Sequence, residues 1–214
     1  MDLLEDWLAS HCKIIVGMDV SVTSNRNIKS LLKGSLYHLP FADNSFDLIT
    51  CRMVVEHLAQ PRDAFAECAR CLRPGGAVVV ITPNLLNYAI FANAVATKLL
   101  PGKLRLRIVH ASDSRVDEDI FPVRYKANTM NRLVQSLNTS GLQVHEAFGL
   151  RQQRPYWRKH PSLEKVLMKL TPIYVLLVCA HKFVAKSVST GGPMLPPIAR
   201  SRHLPQVRPR SIAS

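Results

Sequence analysis

Several residues of this chain have types and spacings that could do chemistry. Asp19 closes the run Val16-Gly17-Met18-Asp19, where a carboxylate could accept hydrogen bonds from a ribose diol. The same residue could instead cap a helix starting near Thr23 or Asn25. Glu56-His57 could open a metal-hydrolase helix, but Pro61 stands where the second histidine would be needed, so metal hydrolysis is excluded. Cys68-Ala69-Arg70-Cys71 has a metal-ligand spacing without a second Cys or Cys/His pair to complete a zinc site. Phe65, Cys68, Cys71 and Leu72 fall on one helical face, which assigns these thiols to a core, and no metal is expected. From Tyr156 to Lys186 aromatic and cationic residues flank the apolar run Ile173 to Ala180. That stretch could lie on an anionic membrane surface, or Val175 to Cys179 could be the last strand of a sheet.

These groups must be held by alternating strands and helices. Strands are expected at Ile14 to Asp19, Phe46 to Thr50 and Ala77 to Thr82, the last containing the continuous run Val78-Val79-Val80-Ile81. Apolar runs without alternation belong to parallel strands buried between helices. Pro61 to Leu72 reads as a helix: Pro61 starts it, Asp63 and Glu67 lie early, Arg70 and Arg73 late, and Pro74-Gly75-Gly76 stops it. The fold class is α/β, a doubly wound, mostly parallel sheet, in which ligands sit beyond the carboxyl ends of the strands.

Charge is distributed unevenly. The formal net charge is +13, yet residues 1–150 hold 16 Lys and Arg against 14 Asp and Glu, while residues 151–214 hold 12 against one. A basic end of this kind suits anionic lipid, nucleic acid or an acidic partner, or serves solubility alone. Nucleic acid is not expected, because aromatic and basic residues do not alternate as a stacking platform requires. Residues 189–214, rich in Pro, Gly, Ser and Arg, read as a disordered extension of a domain covering 1–188. Asp2, Glu5 and Asp6 stand where a signal peptide would carry positive charge, no apolar run approaches the ~20 residues of a spanning helix, and five cysteines fit reduced thiols. A cytoplasmic protein, peripheral to a membrane at most, is expected.

Asp19, the segment Gly34 to Leu48, Val54-Val55-Glu56-His57-Leu58 and Leu72-Arg73-Pro74-Gly75-Gly76, in this order and spacing, resemble the class I (Rossmann-like) S-adenosylmethionine-dependent methyltransferases, type 11 group. The similarity continues through Thr82-Pro83-Asn84 and through Arg124-Tyr125-Lys126-Ala127-Asn128-Thr129 to Gly141-Leu142. The resemblance implies S-adenosylmethionine as cofactor, with Asp19 on the ribose hydroxyls and Val20 beside it. It implies Ser35 and Leu36 on the adenine, and Cys51 and Arg52 along the methionine portion and the methyl-transfer face. Methyl transfer to an alcohol or amine also needs a base, for which His57, His110 and Tyr125 are the candidates.

The family's Gly-x-Gly loop after its first strand has no counterpart here, and Met1 to Cys12 already reads as the helix that follows that loop. The chain is therefore expected to begin inside the domain. The absent strand would lie mid-sheet, between those ending at Asp19 and Thr50, leaving buried edges without partners. Residues 84–128 form the insertion that covers the acceptor pocket in such enzymes. Its mostly apolar start, Leu85 to Leu100, suits a lipid-like or aromatic acceptor or ordinary packing on the sheet. The expected function is methyl transfer to a small-molecule or lipid-linked acceptor. The alternative is a non-catalytic remnant that binds partners through its basic end.

Overall fold

The computed structural model describes residues 10–20, 28, 30–99, 122–151 and 161–183. The chain divides into two units, Met1–Val184 and Ala185–Ser214, and the described residues all lie in the first. The second unit, the expected tail, His110, Tyr156 to His160 and the helix expected after Asp19 lie outside the described residues.

Strands β1 (Val16–Asp19) and β2 (Ser30–Lys33) pair in parallel, with Asp19 opposite Lys33. A second sheet has the order β3-β4-β6-β5, formed by β3 (Phe46–Arg52), β4 (Leu72–Pro83), β5 (Leu142–Arg151) and β6 (Ile173–Lys182). Strands β3 and β4 are parallel, and β6 runs antiparallel to both β4 and β5, so it alone is reversed in this sheet. The expected strands are all present. Val175 to Cys179 belongs to β6, hydrogen-bonded on both sides, which removes this run from any membrane-facing role.

The sheets divide between β1 and β3, the place where a mid-sheet strand was expected to be missing, and among the described residues no strand joins them. Those edges are not buried. In β3 only Cys51 is buried, while Leu48, Thr50 and Arg52 are exposed.

Helix α1 (Pro61–Cys71) begins with Pro at its first position, Asp63 in its first turn and Arg70 in its last, complementing the helix dipole. The chain then enters β4 at once. Leu72 pairs with Phe46, and the pairing resumes only at Ala77 opposite Leu48, so Arg73 to Gly76 loop out. Gly75 has a φ of 79°. A Cβ on Gly76 would lie 2.9 Å from the Arg73 carbonyl oxygen and 3.1 Å from that of Asp47, a crowding that only glycine avoids. Helices α2 (Tyr88–Leu99), α3 (Met130–Asn138) and α4 (Pro161–Leu170) complete the described elements. Phe65, Cys68 and Leu72 join Val78 and Val80 of β4, Leu133 and Leu137 of α3, and Leu176 and Val178 of β6 in one core.

Candidate cofactor site

The parallel register of β1 and β2 brings the proposed ribose and adenine residues to a single edge. Asp19 ends β1, and its carbonyl oxygen accepts the Gly34 N–H at 2.9 Å, which places Ser35 and Leu36 directly beyond β2. Asp19 and Val20 are exposed, Ser35 and Leu36 half-buried. The turn after β2 is shaped by Ser35: its Oγ accepts the Tyr37 N–H at 3.3 Å and its carbonyl oxygen accepts the His38 N–H at 3.1 Å.

Side chains that sequence reading did not single out tie this loop to α1. The Tyr37 hydroxyl accepts the N–H groups of Ala59 and Gln60, at 2.8 and 3.2 Å, just before the helix. Arg70 donates to the carbonyl oxygens of Leu39 and Phe41 and to Asp43, while Glu67 receives both Arg70 and the Leu39 N–H. The Arg70 hydrogen bonds hold the Glu67 carboxyl below the usual carboxylate range. Arg70 had carried meaning in the sequence only as a late helical cation. Its pairing with a loop some thirty residues earlier has no signature in the local pattern.

On the second sheet, Cys51 and Arg52 end β3, and the chain turns sharply at Met53, a non-glycine residue with a φ of 53° whose N–H donates to the Ile81 carbonyl oxygen at 2.8 Å. Arg52 is exposed, but the Cys51 thiol points inward to Cys68, so toward a ligand Cys51 offers its backbone. The Cys51 hydrogen bond and burial push the Cys68 thiol well above its ordinary range, as for inert core cysteines.

A single turn of 3-10 helix, Val55–His57, follows and meets the second half of the family-like segments. The Glu56 carbonyl oxygen accepts the N–H groups of Arg124 and Tyr125, at 2.7 and 3.1 Å, and Tyr125 itself has a φ of 50°. Glu56 is buried; Thr82 donates to its Oε2 at 3.1 Å, and Asn128 donates to Thr82 Oγ1 at 2.7 Å and to the Pro83 carbonyl oxygen at 3.1 Å. Asn128 Oδ1 is buried without a hydrogen-bond partner. Non-glycine residues at positive φ store backbone strain, and such positions cluster at functional sites. Of the candidate bases, His57 and Tyr125 therefore share one cluster. His57 Nδ1 lies 3.3 Å from the Pro122 carbonyl oxygen and Nε2 4.0 Å from Glu56 Oε1, while the Tyr125 hydroxyl accepts from Asn93 at 3.3 Å. Thr82, Asn128 and Glu56 stand in separate motifs along the chain, and folding makes them one network.

Burial raises the Glu56 carboxyl above its ordinary range, outweighing its hydrogen bonds and the neighbouring His57. A carboxyl raised in the folded state destabilises the fold while ionised, and stability returns as pH falls through the raised value toward the unfolded one. Glu56→Gln, which still accepts from Thr82, is therefore expected to raise stability at neutral pH by on the order of 1 kcal/mol. The advantage should fade on acidification in urea unfolding measured across pH. A less stable variant at neutral pH would show that the ionised carboxylate is paired after all.

The residues fit one end of S-adenosylmethionine. An exposed carboxylate beside a loop with a hydroxyl and backbone N–H groups suits ribose and adenine. For the methionine end, the described residues provide the backbone at Cys51 to Met53 and no glycine-rich turn.

Comparison with known proteins shows what the chain as a whole is similar to. A family described as "Methyltransferase domain" matches residues 3–80. A Mycolicibacterium smegmatis protein named "Probable S-adenosylmethionine-dependent methyltransferase" is 24% identical over 151 residues, 68% of this chain and 49% of that protein. The Dinoroseobacter shibae ubiquinone/menaquinone biosynthesis C-methyltransferase UbiE is 46% identical over 50 residues, 23% of this chain and 20% of that protein. The chain thus spans about half, or less, of the length of these curated relatives. Among solved structures, an S-adenosylmethionine-dependent methyltransferase from Methanosarcina mazei superposes with a TM-score of 0.55 at 16% identity, covering 86% of this chain and 88% of that one. One from Mesorhizobium loti gives 0.51 at 16% identity, covering 82% and 84%. The match over residues 3–80 and the shared fold make this chain similar to the class I S-adenosylmethionine-dependent methyltransferases, and the names of these relatives support S-adenosylmethionine as cofactor.

Proposed function

We propose that this chain takes part in S-adenosylmethionine-dependent methyl transfer to a small-molecule or lipid-linked acceptor. The observation that carries the reading is the delivery of Asp19 and Gly34-Ser35-Leu36 to one strand edge by the β1–β2 register. When bound, the cofactor supplies an electrophilic methyl group on a sulfonium. The Asp19 carboxylate would accept the ribose hydroxyls, with Val20 alongside. Ser35 Oγ and the Leu36 N–H would meet the adenine; the 3.3 Å contact from Tyr37 is long enough for Ser35 to exchange partners. Arg52 and the backbone at Cys51 would line the transfer face. Transfer then depends chiefly on holding the acceptor atom in line with the methyl group. For an alcohol or amine, His57 or Tyr125, brought together at the Glu56 turn, would take the proton. The lipid-linked class draws support from the UbiE relative, whose name specifies quinone biosynthesis.

The division of the sheet between β1 and β3 favours a second reading, a non-catalytic module of the same fold that works through its basic end. Calorimetric titration separates the two. Under the first reading, S-adenosylmethionine and adenosine both bind, with dissociation constants within about tenfold of each other, since the described contacts serve the adenosine end; tenfold corresponds to ~1.4 kcal/mol. Saturable binding of neither ligand would overturn it in favour of the second.

A further inference from the structure

Two helices beyond the carboxyl end of β4 expose apolar stripes. In α2, Phe91, Val95 and Leu99 recur every fourth residue and are 57%, 38% and 75% exposed. In α4, Leu163, Val166 and Leu170 stand on one side and are 53%, 54% and 73% exposed. The helices are joined at their bases. The Tyr88 hydroxyl donates to Glu164, the Tyr88 N–H donates to Thr171 Oγ1 at 3.1 Å, and Asn87 donates to the Thr171 carbonyl oxygen at 2.9 Å. Exposed large apolar side chains scattered singly are ordinary, but three on one side of each of two hydrogen-bonded helices are of the sort that marks an interaction surface.

Charge selects the occupant. Helix α2 contains no acidic residue, and the single acid of α4, Glu164, is 1% exposed and bonded inward to Tyr88. Lys165 and Lys169 are exposed beside the α4 stripe. A face of large apolar residues edged by lysines and, among the described residues of the two helices, without exposed acids matches the interface of an anionic bilayer, where the apolar side chains enter the acyl boundary and lysine stems reach back to the headgroups.

We propose that the outer face of α2 and α4 docks on an anionic lipid surface. This places the membrane contact on these helices rather than on the run Val175 to Cys179, which the sheet consumes. It also puts lipid beyond the carboxyl end of β4, where the Leu85 N–H donates to the Asn128 carbonyl oxygen, as suits an acceptor drawn from a membrane.

The test is co-sedimentation of the full chain with phosphatidylcholine vesicles, with or without phosphatidylglycerol, across salt concentrations. The expected result is partition onto the anionic vesicles that falls as salt rises. Val166→Glu combined with Leu170→Glu, and separately Phe91→Glu, should each lower partition at least tenfold. Lys165→Gln and Lys169→Gln should each lower it about fivefold. All alter exposed side chains, and unchanged thermal unfolding confirms that the variants are folded. Equal recovery on neutral and anionic vesicles, recovery on neither, or stripe variants that sediment like the parent would overturn the proposal. Self-association without lipid that the stripe variants abolish would also overturn it, making a second copy the occupant. Vesicle binding needs no methyl transfer, so this result stands apart from that of the cofactor titration.

Discussion

Asp19→Ala is expected to raise the dissociation constant for S-adenosylmethionine by about 10- to 150-fold, the equivalent of losing ~1.5 to 3 kcal/mol in hydrogen bonds to a charged acceptor. The carboxylate stands at the exposed end of β1, and the backbone bond from Gly34 to the Asp19 carbonyl oxygen does not depend on the side chain. Affinity should therefore fall while the register of β1 and β2 survives. Adenosine should lose the same factor as the full cofactor, because the contact is to the ribose. Asp19→Asn, which keeps one acceptor oxygen without the charge, should fall between. Isothermal titration of parent and variants with both ligands measures this directly. An unchanged dissociation constant in Asp19→Ala would refute the ribose assignment, and a loss for S-adenosylmethionine alone would move Asp19 to the methionine end.

The largest stability effect is expected at Phe65. Its side chain is fully buried in α1, within the core formed with β4, α3 and β6. Phe65→Ala removes a ring from a close-packed interior and should cost ~3 to 5 kcal/mol, the sum of lost transfer free energy and the cavity left behind. For a chain of this size that lowers the unfolding midpoint by about 6 to 20 °C. Phe65→Leu, which refills most of the volume, should cost less than about 1.5 kcal/mol. Urea unfolding with both variants checks the pair. Equal losses would place Phe65 outside a tightly packed core. The cofactor loop should respond as well, since α1 carries the Glu67 and Arg70 side chains that hold residues 39–43.

The order of elements was legible along the chain because its signals are local. Pro61 at a helix start, the stop at Pro74-Gly75-Gly76, the run Val78 to Ile81 and an acid at the end of the first strand each act within a few residues. The same locality made the core cysteines readable, since Cys68 and Cys71 share a helical face with Phe65. The family motifs also lie in short contiguous stretches, so candidates for the adenosine side could be named from them.

Other features depend on which distant segments meet. The run Val175 to Cys179 was ambiguous between lipid and sheet, since an apolar run looks alike in both; hydrogen bonding to β4 and β5 made it a strand. Cys51 was expected to line the cofactor from the end of its strand, yet side chains alternate across a strand, and tertiary packing turned its thiol toward Cys68. Arg70 gained its role from a loop some thirty residues earlier, and Glu56 acquired its raised carboxyl only through tertiary burial, which outweighs the lowering hydrogen bond from Thr82. The exposed stripes on α2 and α4 emerged in the same way. Periodicity marks an apolar helical face, but only the packed neighbours decide whether that face is covered.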